Sequence, residues 1–237
     1  MAVYVYSVVD AAHPLRLEDL RGVGESPGEL RTVTAGPLCA VVSDAPPDLR
    51  PKRRDLAAHQ AVQERLMSDG TVLPLRFGLT AESDDLVRKA LEGRTEEYTA
   101  RLEALEGCAE YHLKAAEDQE TLLRRILEES EEARTLNDEI RGGGGGPDLP
   151  LALGEIVAEE VRVRQEALAA GVVQALRPFA RDERSSQPVG DDFLNISFLV
   201  ARADEKEFRE AEQGIAERLG ESVDFRLRGP LPAYSFV

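Results

Sequence analysis

The sequence predicts an α+β protein with two domains. Three observations carry that reading. Runs rich in β-branched residues stand between stretches of helical period. The second half, counted out, reads strand, helical hairpin, strand, strand, helix, strand. That is the ferredoxin-like βαββαβ order with a long helical hairpin inserted in its first crossover. Finally, 237 residues suit one large or two modest domains, and Gly107 closes a helical block in mid-chain. The division falls there: residues 1–106 form an N-terminal α+β domain. Residues 107–237 form the ferredoxin-like C-terminal domain, with the helical insertion at about 118–179 and a short C-terminal tail.

In the first domain, Ala2–Val9 reads as a strand that begins at once. Ala11–Pro27 is polar and holds one short helical stretch, Leu15–Leu20. Leu30–Thr34 and Leu38–Ser43 flank Ala35-Gly36-Pro37 and predict a hairpin. Three prolines make Asp44–Pro51 a loop. A helix follows at about Arg54–Ser68, with Leu56, Val62, Leu66 and Met67 roughly on one face, and Asp69-Gly70 stops it. Thr71–Gly78 is extended, and Pro74 confines it to an edge or a bulge. Ser83-Asp84-Asp85 starts a helix to Glu92, and Gly93 separates it from a second at Arg94–Leu105.

In the second domain, Ala109–Lys114 alternates like a half-buried strand. Asp118–Arg141 is read as one helix whose stripe of Leu122, Ile126, Ala133, Leu136 and Ile140 wants a partner helix. Leu151–Phe179 supplies that partner. Between them lie the five glycines Gly142–Gly146 and Pro147. Five glycines lose much entropy on ordering, so the run reads as a flexible tip. A phosphate cradle would need a preceding strand and a following Lys-Ser/Thr, and neither is there. Arg184–Val189 is a weak strand and Phe193–Val200 the strongest in the chain. Glu205–Leu219 is helical up to Gly220, Val223–Leu227 is a strand, and a Gly-Pro-Leu-Pro segment leads into the last residues.

Composition narrows the function. The net charge is −16 and the pI about 4.7. Such a surface repels phosphate backbones, which argues against nucleic-acid binding. The longest apolar runs fall well short of 18 residues, and no charged stretch followed by an apolar one opens the sequence, so neither a membrane-spanning helix nor a secretory signal is expected. Cys39 and Cys108 cannot build a disulfide framework or a four-cysteine zinc site. They read as packed thiols in a reducing compartment.

No catalytic, cofactor-binding or metal motif stands out. His59, on a predicted helix, could serve as a base, but it reads first as a structural histidine meeting neighbouring carboxylates or backbone. Nothing in the sequence draws His13, His59 and His112 together. Glu128-Glu129, Glu131-Glu132 and Asp191-Asp192 read as solvated acids, since 45 carboxylates make chance pairs common. Two basic features remain. Arg50, Lys52, Arg53 and Arg54 cluster just before a helix, where cations oppose the macrodipole. They read either as a loop paired with the protein's own acids or as a grip for an acidic partner. Arg76 sits among apolar neighbours, next to Phe77, and must reach water, a carboxylate or a partner protein.

The block His59-Gln60-Ala61-Val62 through Leu66-Met67 to Gly70–Gly78 resembles the signature region of the gas vesicle protein F/L family. The opening Tyr4–Val9 and the ending Arg228–Val237 resemble that family too, so the likeness spans the chain. It departs at Leu79, where a threonine commonly follows the glycine, and at Leu231, where an aromatic is more usual. The resemblance implies a non-enzymatic, cytoplasmic accessory protein of gas vesicles with a ferredoxin-like C-terminal domain. It implies binding to the hydrophobic major shell protein and to other accessory proteins, and a minor component at the gas-facing side of the shell. The expected partner contacts are Arg76 and Phe77, then Arg50, Lys52, Arg53 and Arg54. Two other functions compete: a small-molecule-binding regulatory module, from the strand–helix order alone, and an enzyme built on His59.

Overall fold

The computed structural model describes residues 2–143, 146 and 148–237. The expected glycine tip at Gly144 and Gly145, with Pro147, lies outside them. The chain groups into two compact units: 1–111 with 199–202 and 229–237, and 112–198 with 203–228.

The first unit is built on strands β1 (Val3–Asp10), β2 (Arg31–Ala35), β3 (Leu38–Asp44), β4 (Leu73–Pro74) and β5 (Thr80–Ala81). Its helices are α1 (Arg53–Asp69), α2 (Asp84–Gly93) and α3 (Thr95–Ala104). The sheet runs β2-β3-β1, with β4 and β5 both pairing antiparallel along the remaining side of β1. The hairpin turns at Gly36, whose φ of +56° suits glycine.

One irregularity in β1 organises this unit. Val5 pairs with Val42, but the next pair is Ser7 with Val41, so Tyr6 is an extra residue on a bulge. The bulge flips the alternation of side chains. Val3, Val5 and Val8 enter one core with Ala40, Val42, Val87, Leu91 and Leu102. Tyr4, Tyr6 and Val9 enter the other with Cys39, Val41, Val62 and Leu66. A regular strand would have placed Val8 beside Tyr4 and Tyr6. Helices α2 and α3 therefore cover one face of the sheet and α1 the other.

Two local expectations give way here. Leu15–Leu20 is not helical, because six residues next to Pro14 cannot sustain a helix nucleus. Its leucines pack individually onto the tyrosine-side core. The buried face of α1 is Asp55, His59, Val62, Gln63 and Leu66, while Leu56 is 43% exposed. The inward face of α1 is thus half polar, which hid it from a search for apolar stripes.

The second unit draws on β6 (Cys108–Glu117), α4 (Gln119–Glu129), α5 (Glu131–Arg141), α6 (Asp148–Leu176), β7 (Asp182–Ser185), β8 (Asp192–Ala201), α7 (Glu205–Leu219) and β9 (Val223–Leu231). The sheet order is β7-β8-β6-β9. The single helix expected over 118–141 is two helices broken at Ser130, which takes extended φ/ψ of −87° and 112°. Ser130 ends α4 and caps α5 by accepting the Ala133 amide at 3.3 Å. Glu131 and Glu132 then favour a fresh N-terminus through the helix dipole. The seven-residue gap between Ile126 and Ala133 concealed the break, since both residues are fully buried in one small core.

The partner helix ends at Leu176 and gives way to a 3-10 turn at Arg177–Phe179, because Pro178 has no amide to continue it. The weak strand expected at 184–189 pairs earlier, as β7, at 182–185.

Candidate functional site

Thr71–Gly78 runs along β1 and leaves it for one short turn. Before the turn, Pro74 pairs with Ser7, and the Leu75 amide donates to the Tyr6 carbonyl at 3.0 Å. After it, the Val5 amide donates to the Leu79 carbonyl at 3.0 Å, and Thr80 pairs with Tyr4. Arg76, Phe77 and Gly78 are looped out between these two clamps. Gly78 takes φ +97°, a conformation that side-chain-bearing residues avoid. The turn sorts its side chains. Phe77 folds inward, with ring centroids 5.8 Å from both Tyr4 and His59. Arg76 and Leu79 stay exposed. Among the described residues Arg76 has no ion pair, so the salt bridge that an arginine in an apolar run would ordinarily make is not formed.

Beneath the turn lies a buried polar network. The Tyr4 hydroxyl meets Nδ1 of His59 at 2.8 Å and also accepts the Gly78 amide at 3.2 Å. Nε2 of His59 meets the Tyr234 hydroxyl at 3.1 Å. A neutral imidazole carries one donor and one acceptor nitrogen, and two hydroxyls satisfy either tautomer. Gln63, one helical turn on from His59, donates to the Tyr6 carbonyl at 2.6 Å and accepts from Ser7 Oγ at 2.6 Å. The Tyr6 hydroxyl meets Ser43 Oγ at 3.0 Å and accepts the Val23 amide at 2.9 Å.

Burial dominates the electrostatics of this network. It raises the phenols of Tyr4 and Tyr6 and pushes Tyr234 up to about 12. It holds His59 below the usual imidazole value, offset in part by a backbone hydrogen bond at Leu75. Of the neighbours expected for His59, carboxylates or backbone, the backbone contact at Leu75 is made, and among the described residues no carboxylate hydrogen-bonds the ring. The three phenols and the imidazole hold one another in place through hydrogen bonds strengthened by burial.

The chain's last residues join the same unit. Glu110, itself buried, accepts both the Ser235 amide at 2.9 Å and the Ser235 hydroxyl at 2.7 Å. Ala233 is buried in the core and Phe236 packs against it. Gly229 must be glycine, because an added Cβ would sit 2.6 Å from the Tyr111 ring and 2.9 Å from the Glu110 carbonyl.

The basic cluster is largely paired. Arg50 bonds Asp48 at 2.9 Å, Lys52 bonds Glu25 at 3.2 Å and Arg54 bonds buried Asp55 at 3.1 Å. The Arg54 guanidinium, with the Gly24 amide at 2.9 Å, holds the Asp55 carboxyl below its usual value. Lys52, Arg54 and Asp55 line an open cavity of about 480 Å³ with Gly24, Glu25 and Pro46. Arg53 is exposed and unpaired among the described residues. The remaining histidines are used structurally. His13 caps the end of α1 through the Leu66 carbonyl at 3.1 Å, and His112 bonds Asn195 at 2.6 Å. Asp192 pairs with Arg226 and with Lys114.

Tyr4, His59, Phe77 and Tyr234 thus bring three distant stretches to one place. Those stretches are the ones that carried the family likeness in the sequence. The sequence model of "Gas vesicle synthesis protein GvpL/GvpF" matches residues 2–237. The chain belongs to the gas vesicle GvpL/GvpF family. It is 42% identical to gas vesicle protein F of Streptomyces sp. (strain CB03234) over 238 residues, covering 100% of both chains. It is 30% identical to gas vesicle protein L of the same strain, covering 99% of this chain and 92% of the relative. The crystal structure of the gas vesicle protein GvpF from Anabaena sp. PCC7120 matches with a TM-score of 0.86 at 21% identity, covering 99% of this chain and 97% of that one. That last likeness is one of fold, and it agrees with the mixed helix and sheet seen here. Among the described residues no helix is long and apolar enough to cross a membrane.

Sequence reasoning singled out Arg76, Phe77 and the basic cluster as expected contacts and did not single out Tyr4, Gln63, Ser7 or Tyr234, which form the buried network. A signal existed. Tyr4 and Tyr6 alternate among valines, and a buried tyrosine needs a partner for its hydroxyl. His59 and Gln63 stand four apart on one helix face and could supply partners.

Proposed function

We propose that this protein binds the hydrophobic major shell protein of gas vesicles and helps the vesicle assemble, making and breaking no bond. It acts in the cytoplasm and at the vesicle, with other accessory proteins, as a minor component at the gas-facing side. The contact is the turn Arg76–Leu79, with Arg50, Lys52, Arg53 and Arg54 as a second site. One observation carries this reading. The turn presents an unpaired arginine and an exposed leucine outward while Phe77, Tyr4 and His59 anchor it from below. A rigid apolar and cationic knob loses little entropy on docking, and planar arginine suits interfaces. Names of relatives support the setting: both curated relatives above are gas vesicle proteins, with higher identity to the F protein than to the L protein.

The physical logic is one of solubility. A very apolar shell subunit aggregates before it assembles, and an acidic, soluble partner with a limited apolar contact can hold it. Residues 107–237 are proposed as one ferredoxin-like module. The supporting observation is the strand order β7-β8-β6-β9, with the helices inserted after the first strand.

The test is co-purification with the shell protein. Arg76→Ala should reduce capture about tenfold while leaving the unfolding midpoint unchanged. Equal loss of both would make Arg76 structural. No capture by the wild type, together with normal vesicles after deletion, would reject the reading. A saturable thermal shift with a metabolite in that case would favour the ligand-binding alternative.

A further inference from the structure

Helix α6 is 29 residues long, and 17 of them are Ala, Val, Leu or Ile. Only Val172 and Leu176 are fully buried. Its inner side packs Leu153, Ile156, Val157 and Val161 against the small core of Leu122, Ile126 and Ala133. Its outer side stays in solvent along successive turns, and there Leu151 is 66% and Val163 48% exposed. Exposed Glu155, Glu159 and Arg162 stand between them, so the open side of α6 is a stripe of alternating aliphatic and charged residues.

Beside that stripe runs a groove of about 370 Å³. Ile156 and Val163 are apolar walls, and Glu132, Glu155, Glu159 and Glu160 surround them. Two of the acids are already neutralised: Glu159 bonds Arg162 at 2.5 Å and Glu160 bonds Arg164 at 3.0 Å. Glu132 and Glu155 form no ion pair among the described residues. The wider field has the same sign, since residues 119–176 carry twelve carboxylates against six arginines. Charge also decides against one occupant. A second copy of this chain would bring its own −16 and its own glutamates against these.

We infer that the α6 groove is a docking site for a basic amphipathic helix of a partner protein. The partner lays an apolar ridge, spaced at i, i+3, i+4 and i+7, between Ile156 and Val163. Lysines or arginines flanking that ridge reach Glu132 on one side and Glu155 on the other. The acids add specificity and association rate, and the aliphatic floor adds affinity. This surface shares no residue with the Arg76 turn or the basic cluster, so the two readings fail separately.

The experiment uses the full chain and two synthetic 18-residue helices with the same leucine ridge, one flanked by lysines and one by glutamates. Fluorescence anisotropy should show saturable binding of the lysine peptide and none of the glutamate peptide. Glu132→Lys with Glu155→Lys should weaken binding at least about tenfold. Glu92→Lys with Glu96→Lys, exposed acids of the first unit, changes net charge equally and should weaken it less than about twofold. Val163→Ser should weaken binding without changing the unfolding midpoint. Equal weakening by both double variants would reduce the effect to general charge attraction and overturn the inference. Absence of saturable binding would overturn it. So would concentration-dependent self-association lost in Val163→Ser, which would make a second copy the occupant.

Discussion

The Tyr234 hydroxyl lies 3.1 Å from Nε2 of His59, a residue 175 positions earlier in the chain. That hydrogen bond ties the chain's last turn to helix α1. Through His59 it reaches Tyr4, whose hydroxyl also holds the Gly78 amide beneath the exposed arginine. The turn proposed to meet the partner is therefore braced by the two ends of the polypeptide.

Tyr234→Phe removes one member of this chain and leaves a ring nitrogen of His59 without its hydroxyl. The expected loss is about 1 kcal/mol, the net worth of one hydrogen bond, because Gln63 Nε2 stays 3.4 Å from the same nitrogen. Urea unfolding followed by tyrosine fluorescence measures it, since the chain has no tryptophan. A loss indistinguishable from zero would mean water replaces the hydroxyl.

His59 makes stability depend on pH in a definite direction. Burial depresses its folded pKa below the unfolded value near 6.5. Between those two values the unfolded chain binds more protons, so stability is full above about pH 6.5 and falls as pH drops through that window. The slope contributed is at most about 1.4 kcal/mol per pH unit. Denaturation series from pH 7.5 to 5 should show this decline in the wild type, and His59→Gln should flatten it.

Gly78→Ala places a Cβ on a backbone at φ +97° with open space around it. Strain, rather than collision, sets the cost at about 1–2 kcal/mol. The same substitution should speed hydrogen exchange at the Gly78 and Leu79 amides, and it should weaken partner capture if the turn is the contact. Unchanged exchange with unchanged stability would show that the turn tolerates another conformation.

Ser130→Ala deletes the side chain that caps α5 and marks the break after α4. The expected destabilisation is about 1 kcal/mol. Circular dichroism should show helical content held or slightly raised, because alanine permits α4 and α5 to fuse into the continuous helix that the apolar spacing alone suggests. A stabilised protein would show that the break is imposed by packing against α6 and not by the cap.

The class of the protein, most of its elements and its family were readable from residue order, because periodicity, glycine, proline and capping residues act over a few positions. Ser83 at the start of α2 and Gly36 in the hairpin are local statements of that kind. Arg76 and Phe77 drew notice in the sequence because they sit in a contiguous block. Which residues hold that block in place was a different matter. Tyr6 on its bulge, Gln63 facing a carbonyl and Tyr234 against His59 gain meaning only when strands far apart in the chain are in register. A one-residue bulge moved Val8 from one core to the other, and no window along the chain contains the partner strand that makes the bulge. Burial then set the His59 and tyrosine pKa values, and burial is a property of the packed molecule. Contacts between neighbours in sequence are written in the sequence; desolvation and long-range pairing exist only once the chain has folded.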